Sequence, residues 1–113
     1  MTSLIEMHCT RPKEGEGLSP QEIEKYATHV PDWEVQNKDG VARLVRHFRF
    51  KNFSQALAFS IEVGIIAEKE DHHPAIMTEW GRVTVTFWTH FINGLHLNDF
   101  IAAAHTDQLI SEG

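Results

Sequence analysis

Between Asn52 and Lys69 the chain is apolar around most of a helical circumference. Asn52-Phe53-Ser54-Gln55 reads as a capping box that opens a helix running to about Lys69. At about 100° per residue, polar side chains occupy only a narrow arc around Gln55, Glu62 and Lys69. One apolar stripe uses Phe53, Ala56, Leu57, Ser60, Ile61 and Gly64; a second adds Phe59, Val63 and Ile66. A helix lying on one sheet needs a single stripe. The second predicts helix-to-helix contact between subunits, hence a homo-oligomer, with Phe59, Val63 and Ile66 as the contact surface. The plainer alternative is a helix buried more fully in its own domain.

What flanks this helix restricts the fold further. Ser19-Pro20-Gln21-Glu22 is a capping box with proline at the first helical position, so a short helix ends near His29, ahead of Pro31. Trp33 to Gln36 reads as a strand, Asn37-Lys38-Asp39-Gly40 as a hairpin turn, and Ala42 to Phe50 as a half-buried strand of period two. Beyond the central helix, Ala75 to Trp80 and Arg82 to His90 read as a second pair of strands around Gly81. Asn93-Gly94 breaks the chain, and His96 or Asn98 caps a last helix over roughly 97–110. The order α-β-β-α-β-β-α predicts an α+β fold: a four-stranded antiparallel sheet with three helices on one face. Residues 1–17 show no periodicity and read as a flexible N-terminal arm, leaving 18–113 as a single domain.

The charge balance narrows the function. The net charge of −6 is unevenly placed. Residues 52–113 hold only Lys69 and Arg82 against eight acidic residues, which argues against direct nucleic-acid binding. No run approaches the ~18 apolar residues of a membrane span. The first ten residues carry Glu6 and His8 without the regions of a secretory signal, and Cys9 has no intrachain partner. A reducing, cytoplasmic setting is expected.

Histidine is the outlier: eight in 113 residues, with His72, His73, His90, His96 and His105 in the second half. Pro74 pushes His73 toward an extended conformation, so the adjacent His72 and His73 point to opposite sides. His90 ends a later strand. Three readings compete: acid–base catalysis on a small molecule by imidazoles titrating near neutrality, a metal site, and exposed loop histidines. The spacing is poor for a metal, with no His-x-x-x-His or His-Glu-x-x-His on one helix face and Cys9 remote in sequence.

Glu68-Lys69-Glu70-Asp71-His72-His73-Pro74, then Trp80, Thr89-His90, Gly94-Leu95 and Asp99 resemble the signature of the pterin-4a-carbinolamine dehydratases. The likeness spans about residues 18–110. It implies dehydration of 4a-hydroxytetrahydropterins to quinonoid dihydropterins, which regenerates the pterin of aromatic amino-acid hydroxylases. It also implies no metal or organic cofactor, and dimers or tetramers joined through the central helix and the sheet edge. The alternative is a non-catalytic pterin-binding or dimerisation module of the same fold. By resemblance His72, His73 and His90 are the catalytic histidines, with His73 the principal acid–base group.

Substrate contacts are expected of Glu68, Asp71, Trp33 and Asp99. Each has a plainer reading: a salt bridge for Glu68, a solvated loop acid for Asp71, core packing for Trp33, and the helix dipole for Asp99. Trp88, two residues before His90, departs from the small residues familiar there and could narrow the pocket. His96 departs from the familiar serine cap.

Overall fold

The structure, a computed structural model, describes residues 3–111. Seven main elements follow the expected order: α1 (Pro20–Ala27), β1 (Glu34–Lys38), β2 (Val41–Arg49), α2 (Phe53–Glu70), β3 (Ala75–Glu79), β4 (Arg82–Phe87) and α3 (Leu97–Ser111). The strands form one antiparallel sheet in the order β1-β2-β4-β3. Among the described residues no helix is long and apolar enough to cross a membrane.

Local chemistry accounts for the element ends. Ser19 and Glu22 form the reciprocal capping box of α1. The Asn52 side chain accepts from the Gln55 N–H at 2.9 Å and starts α2. Asp39 and Gly40 both have positive φ, the geometry of a two-residue hairpin that matches strand twist. Gly81 is required for a different reason: a Cβ there would sit 3.0 Å from the Phe50 carbonyl, which lies beside it in the ladder.

Period-two alternation puts Leu44, Phe48, Val83, Val85 and Phe87 on the sheet face that α2 and α3 cover. Ala56, Phe59 and Val63 from α2 meet them, with Phe48 and Phe59 ring centroids 4.6 Å apart. From α3 come Phe100, Ile101 and Ala104, and Tyr26 of α1 packs on Phe100 at 5.8 Å.

The second stripe of α2 does not take the outward role expected of it. Phe59 and Val63 face the domain's own core, in line with Ala56 and Ala67. The outward apolar stripe is Phe53, Leu57, Ile61 and Ile65, spaced every four residues, with Ile61 57% and Ile65 63% exposed. The reason is angular: Ala56, Phe59, Val63 and Ala67 recur at three and four residues and fall on one side of the helix. A second difference is the end of β4, which stops at Phe87 rather than His90. The Thr89 backbone turns to its own loop, donating to the Gly94 carbonyl at 2.9 Å, and His90–Ile92 form a 3-10 turn closed by a left-handed Asn93.

The arm carries no periodic signal, yet its described part is docked. Leu4 is buried in the core. The Cys9 N–H donates to Glu70 at 2.8 Å, and the Asn98 side chain brackets Thr10, accepting from its N–H at 2.9 Å and donating to its carbonyl at 2.6 Å. Glu16 accepts from His96 at 3.1 Å. That bond and the Lys13 N–H hold the Glu16 carboxyl below its ordinary range. These anchors are isolated contacts between distant segments, which leave no pattern in the sequence. Burial, reinforced by the Glu70 carboxylate, pushes the Cys9 thiol up to about 12.

Asn98→Ala removes both anchors of Thr10 at once. It is expected to lower the unfolding free energy by about 1–3 kcal/mol, the net contribution of two hydrogen bonds. Denaturant unfolding and the rate of trypsin cleavage after Lys13 both measure it, and cleavage is expected to speed up.

Candidate active site

The loop after α2 divides the paired histidines between two environments. Asp71 takes the left-handed conformation (φ 51°, ψ 43°) that ends the helix, and the His72 N–H returns to the Ala67 carbonyl at 3.1 Å. His72 then turns inward and is buried, while His73 points out.

Behind His72 lies Asp99, which is fully buried. Its Oδ1 is 2.6 Å from His72 Nε2. Its Oδ2 accepts from the Thr89 hydroxyl at 2.8 Å and from the His96 N–H at 2.9 Å. A buried carboxylate is tolerable only with its lone pairs satisfied, and three donors from three chain segments do so here. Neutral His72 therefore carries its proton on Nε2, toward the carboxylate, leaving Nδ1 as the basic nitrogen. Phe87 stacks on the imidazole, with centroids 6.0 Å apart and planes 10° from parallel. The ring is held in position and in tautomer, as a buried aspartate holds the histidine of a catalytic triad.

His96 takes part through the helix start. Its Nδ1 accepts the Asn98 N–H at 2.9 Å, and its own N–H donates to Asp99. The pair reproduces a capping box with imidazole in place of a hydroxyl. Asp99 thus serves the start of α3 and His72 together.

A cleft of about 250 Å³ is lined by Asp71, His72, His73, Trp88, Thr89, His90, Phe91 and Pro12 of the arm. His73 Nε2 is paired with the Glu68 carboxylate, and both side chains are largely exposed. His90 packs against Trp88 at 4.5 Å between centroids, and the Arg43 guanidinium lies over the Trp88 ring, 4.1 Å from its centroid. The fold thus brings His72, His73, His90 and Asp71 to one cleft, with Glu68 attached through His73.

Trp33 and Asp99 do not line it. Trp33 is 5% exposed, packs on Phe48 and Phe87, and donates its indole N–H to Asp107 at 2.8 Å. Among the described residues it reaches the site through Phe87. Sequence reasoning missed Thr89 and His96 as partners of Asp99, Phe87 as the stacking platform, and Pro12 as a wall. Pro12 left no local signal, because the arm arrives from about sixty residues away in sequence.

Three imidazoles on one small cleft, one of them fixed by a buried carboxylate, suit general acid–base chemistry on a compact polar molecule.

The family model described as Pterin 4 alpha carbinolamine dehydratase matches residues 16–109. A Chlorobium luteolum protein, provisionally named pterin-4-alpha-carbinolamine dehydratase, is 47% identical over 113 residues, covering 99% of each chain. A crystal structure titled as a transcriptional coactivator/pterin dehydratase from Brucella melitensis superposes with a TM-score of 0.73 at 33% identity, over 82% of this chain and 97% of that one. A pterin dehydratase-like protein described as a RuBisCO assembly factor in the alpha-carboxysome gives a TM-score of 0.59 at 25% identity, over 69% of this chain and 88% of that one.

Nitrogen-15 NMR of the imidazoles tests the hydrogen-bond assignment. Neutral His72 and His96 are both expected to be protonated at Nε2, and Asp99→Asn is expected to disturb the His72 pattern. Protonation at Nδ1 in either ring would contradict it. The chain belongs to the pterin-4a-carbinolamine dehydratase family.

Proposed function

We propose that this member of the family dehydrates 4a-hydroxytetrahydropterins to quinonoid dihydropterins by histidine general acid–base catalysis. The C4a–O bond breaks as a proton is delivered to the leaving hydroxyl. The N5 proton departs to a base, a C4a=N5 double bond forms, and water is the second product. Both proton transfers need positioned groups titrating near neutrality. The observation that carries the reading is His72, pinned by Asp99, on the same cleft as His73 and His90.

His73 is assigned as the principal acid–base group. It is open to the cleft and has the Glu68 carboxylate to orient its ring. His90 and His72 assist, and Asp71 contacts the pterin at the cleft rim. Asp99 acts through His72, and Trp33 through Phe87. The activity would return the pterin of aromatic amino-acid hydroxylases to use. A lone Cys9 supports a reducing, cytoplasmic setting.

The outward stripe of α2 supports a homodimer or homotetramer joined there and along a sheet edge. Four large apolar side chains in one row exceed what scattered surface residues provide. The same stripe supports the second reading, a dimerisation or regulatory module. The two structural relatives are described as a transcriptional coactivator/pterin dehydratase and as a RuBisCO assembly factor.

The deciding experiment follows dehydration of a 4a-hydroxytetrahydropterin, generated in situ, with a chelator present. The protein is expected to accelerate it, and His73→Ala to lose about 10²–10⁴-fold of that acceleration with unchanged circular dichroism. No acceleration by the folded wild type would favour the module reading. For assembly, sedimentation is expected to show an oligomer that Ile61→Asp converts to monomer.

A further inference from the structure

Away from the cleft, three groups that the proposed dehydration does not use converge beneath the arm. His8 of the arm, Glu70 at the end of α2 and His105 on α3 each offer one ligand atom, and these atoms lie within 4.8 Å of one another. The Glu70 side chain is only 5% exposed. One of its oxygens faces His8 Nδ1 at 2.8 Å, and the other accepts the Cys9 N–H at 2.8 Å. A carboxylate sunk this deeply calls for positive charge beside it.

His105 supplies a second, independent pointer. Its Nε2–H donates to the Met7 carbonyl at 2.8 Å, which leaves Nδ1 as the lone-pair nitrogen. A ring nitrogen bound to a backbone carbonyl is the usual arrangement behind a metal-ligating histidine, because it fixes tautomer and orientation. The two rings stand 5.8 Å apart, tilted 54°. The Cys9 sulfur is turned to the Asn98 carbonyl at 3.5 Å.

We propose that His8, Glu70 and His105 form a zinc site that clamps the arm onto α2 and α3. Two imidazoles and a carboxylate are a known zinc set, with bonds of about 2.0–2.2 Å and a fourth position for water. Tetrahedral ligands at such bonds stand about 3.3 Å apart, so closure asks for a movement of roughly 1–1.5 Å. His8, whose side chain is 69% exposed, is free to make it. Of the three, Glu70 also borders a cavity of about 380 Å³, lined with Cys9, Thr10, Arg11, Pro12 and Asp71.

None of the three ligands lines the catalytic cleft, so the ion would be structural. Its consequence for the cleft is indirect. Pro12, four residues beyond His8, forms part of the cleft wall, and Glu70 directly precedes Asp71 and His72.

The test uses untagged full-length protein stripped of metal, titrated with Zn²⁺ against a chromophoric chelator and with Co²⁺ as the spectroscopic probe. One equivalent is expected to bind, with tetrahedral Co²⁺ bands and no thiolate charge transfer. His8→Ala and His105→Ala are each expected to weaken binding at least about tenfold, since loss of an outer partner alone costs about 10- to 100-fold. His73→Gln is expected to leave binding unchanged. Zn²⁺ is also expected to slow trypsin cleavage after Lys13 in wild type but not in His8→Ala. His8 lies at the surface, so that variant keeps its fold, and circular dichroism checks it. The proposal is overturned by absence of one-equivalent binding, by binding that survives both alanine variants, by loss of binding in His73→Gln, or by a thiolate band.

Discussion

The carboxylate of Asp99 is the point on which the site depends. It lies out of contact with water and accepts from Thr89, His96 and His72. These donors come from the end of β4, the start of α3 and the loop after α2. Removing one partner from such a buried cluster leaves a charge uncompensated, at a typical cost of about 3–5 kcal/mol. The carboxylate therefore fixes the helix start, the loop and the imidazole together. Its place at N3 of α3 makes the arrangement possible: a helix that must begin there presents an acidic residue to its own first turn, and the fold sets His72 against the other oxygen.

Rigid and open parts of the site are kept separate. His72 is clamped between Phe87 and Asp99, on the covered side of the sheet. His73 and His90 stand at the surface, each with one partner, Glu68 and Trp88. A proposed acid–base group needs access to substrate, and its neighbours need fixed geometry. The Asp71 turn, by sending consecutive histidines to opposite sides, supplies both from two residues.

Much of this was legible in the sequence because it rests on local rules. Capping boxes, the Asp39-Gly40 turn and the alternation in β2 and β4 each reflect chemistry within a few residues, and the elements appeared where those signals stood. The family was legible from His72-His73-Pro74 with Thr89-His90 and Asp99. What was not legible depends on contacts between distant segments. Periodicity showed two apolar stripes on α2 but not which would meet the sheet, and the structure turned Phe59 and Val63 inward. Asp99 read first as a dipole residue and second as a ligand contact, and the fold uses it to cap α3 and hold His72. The docking of the arm, and the meeting of His8 with Glu70 and His105, involve residues with no common spacing to detect.

The central claim is that a buried carboxylate prepares His72 for a catalytic cleft. Steady-state dehydration kinetics of Asp99→Asn test it most directly, because the variant keeps size, removes the charge and turns one of the two acceptor oxygens into a donor amide. The account predicts a folded protein with kcat lowered at least about tenfold and a smaller change in KM, since the group acts through His72 rather than on the pterin. A folded variant with wild-type kcat would contradict it.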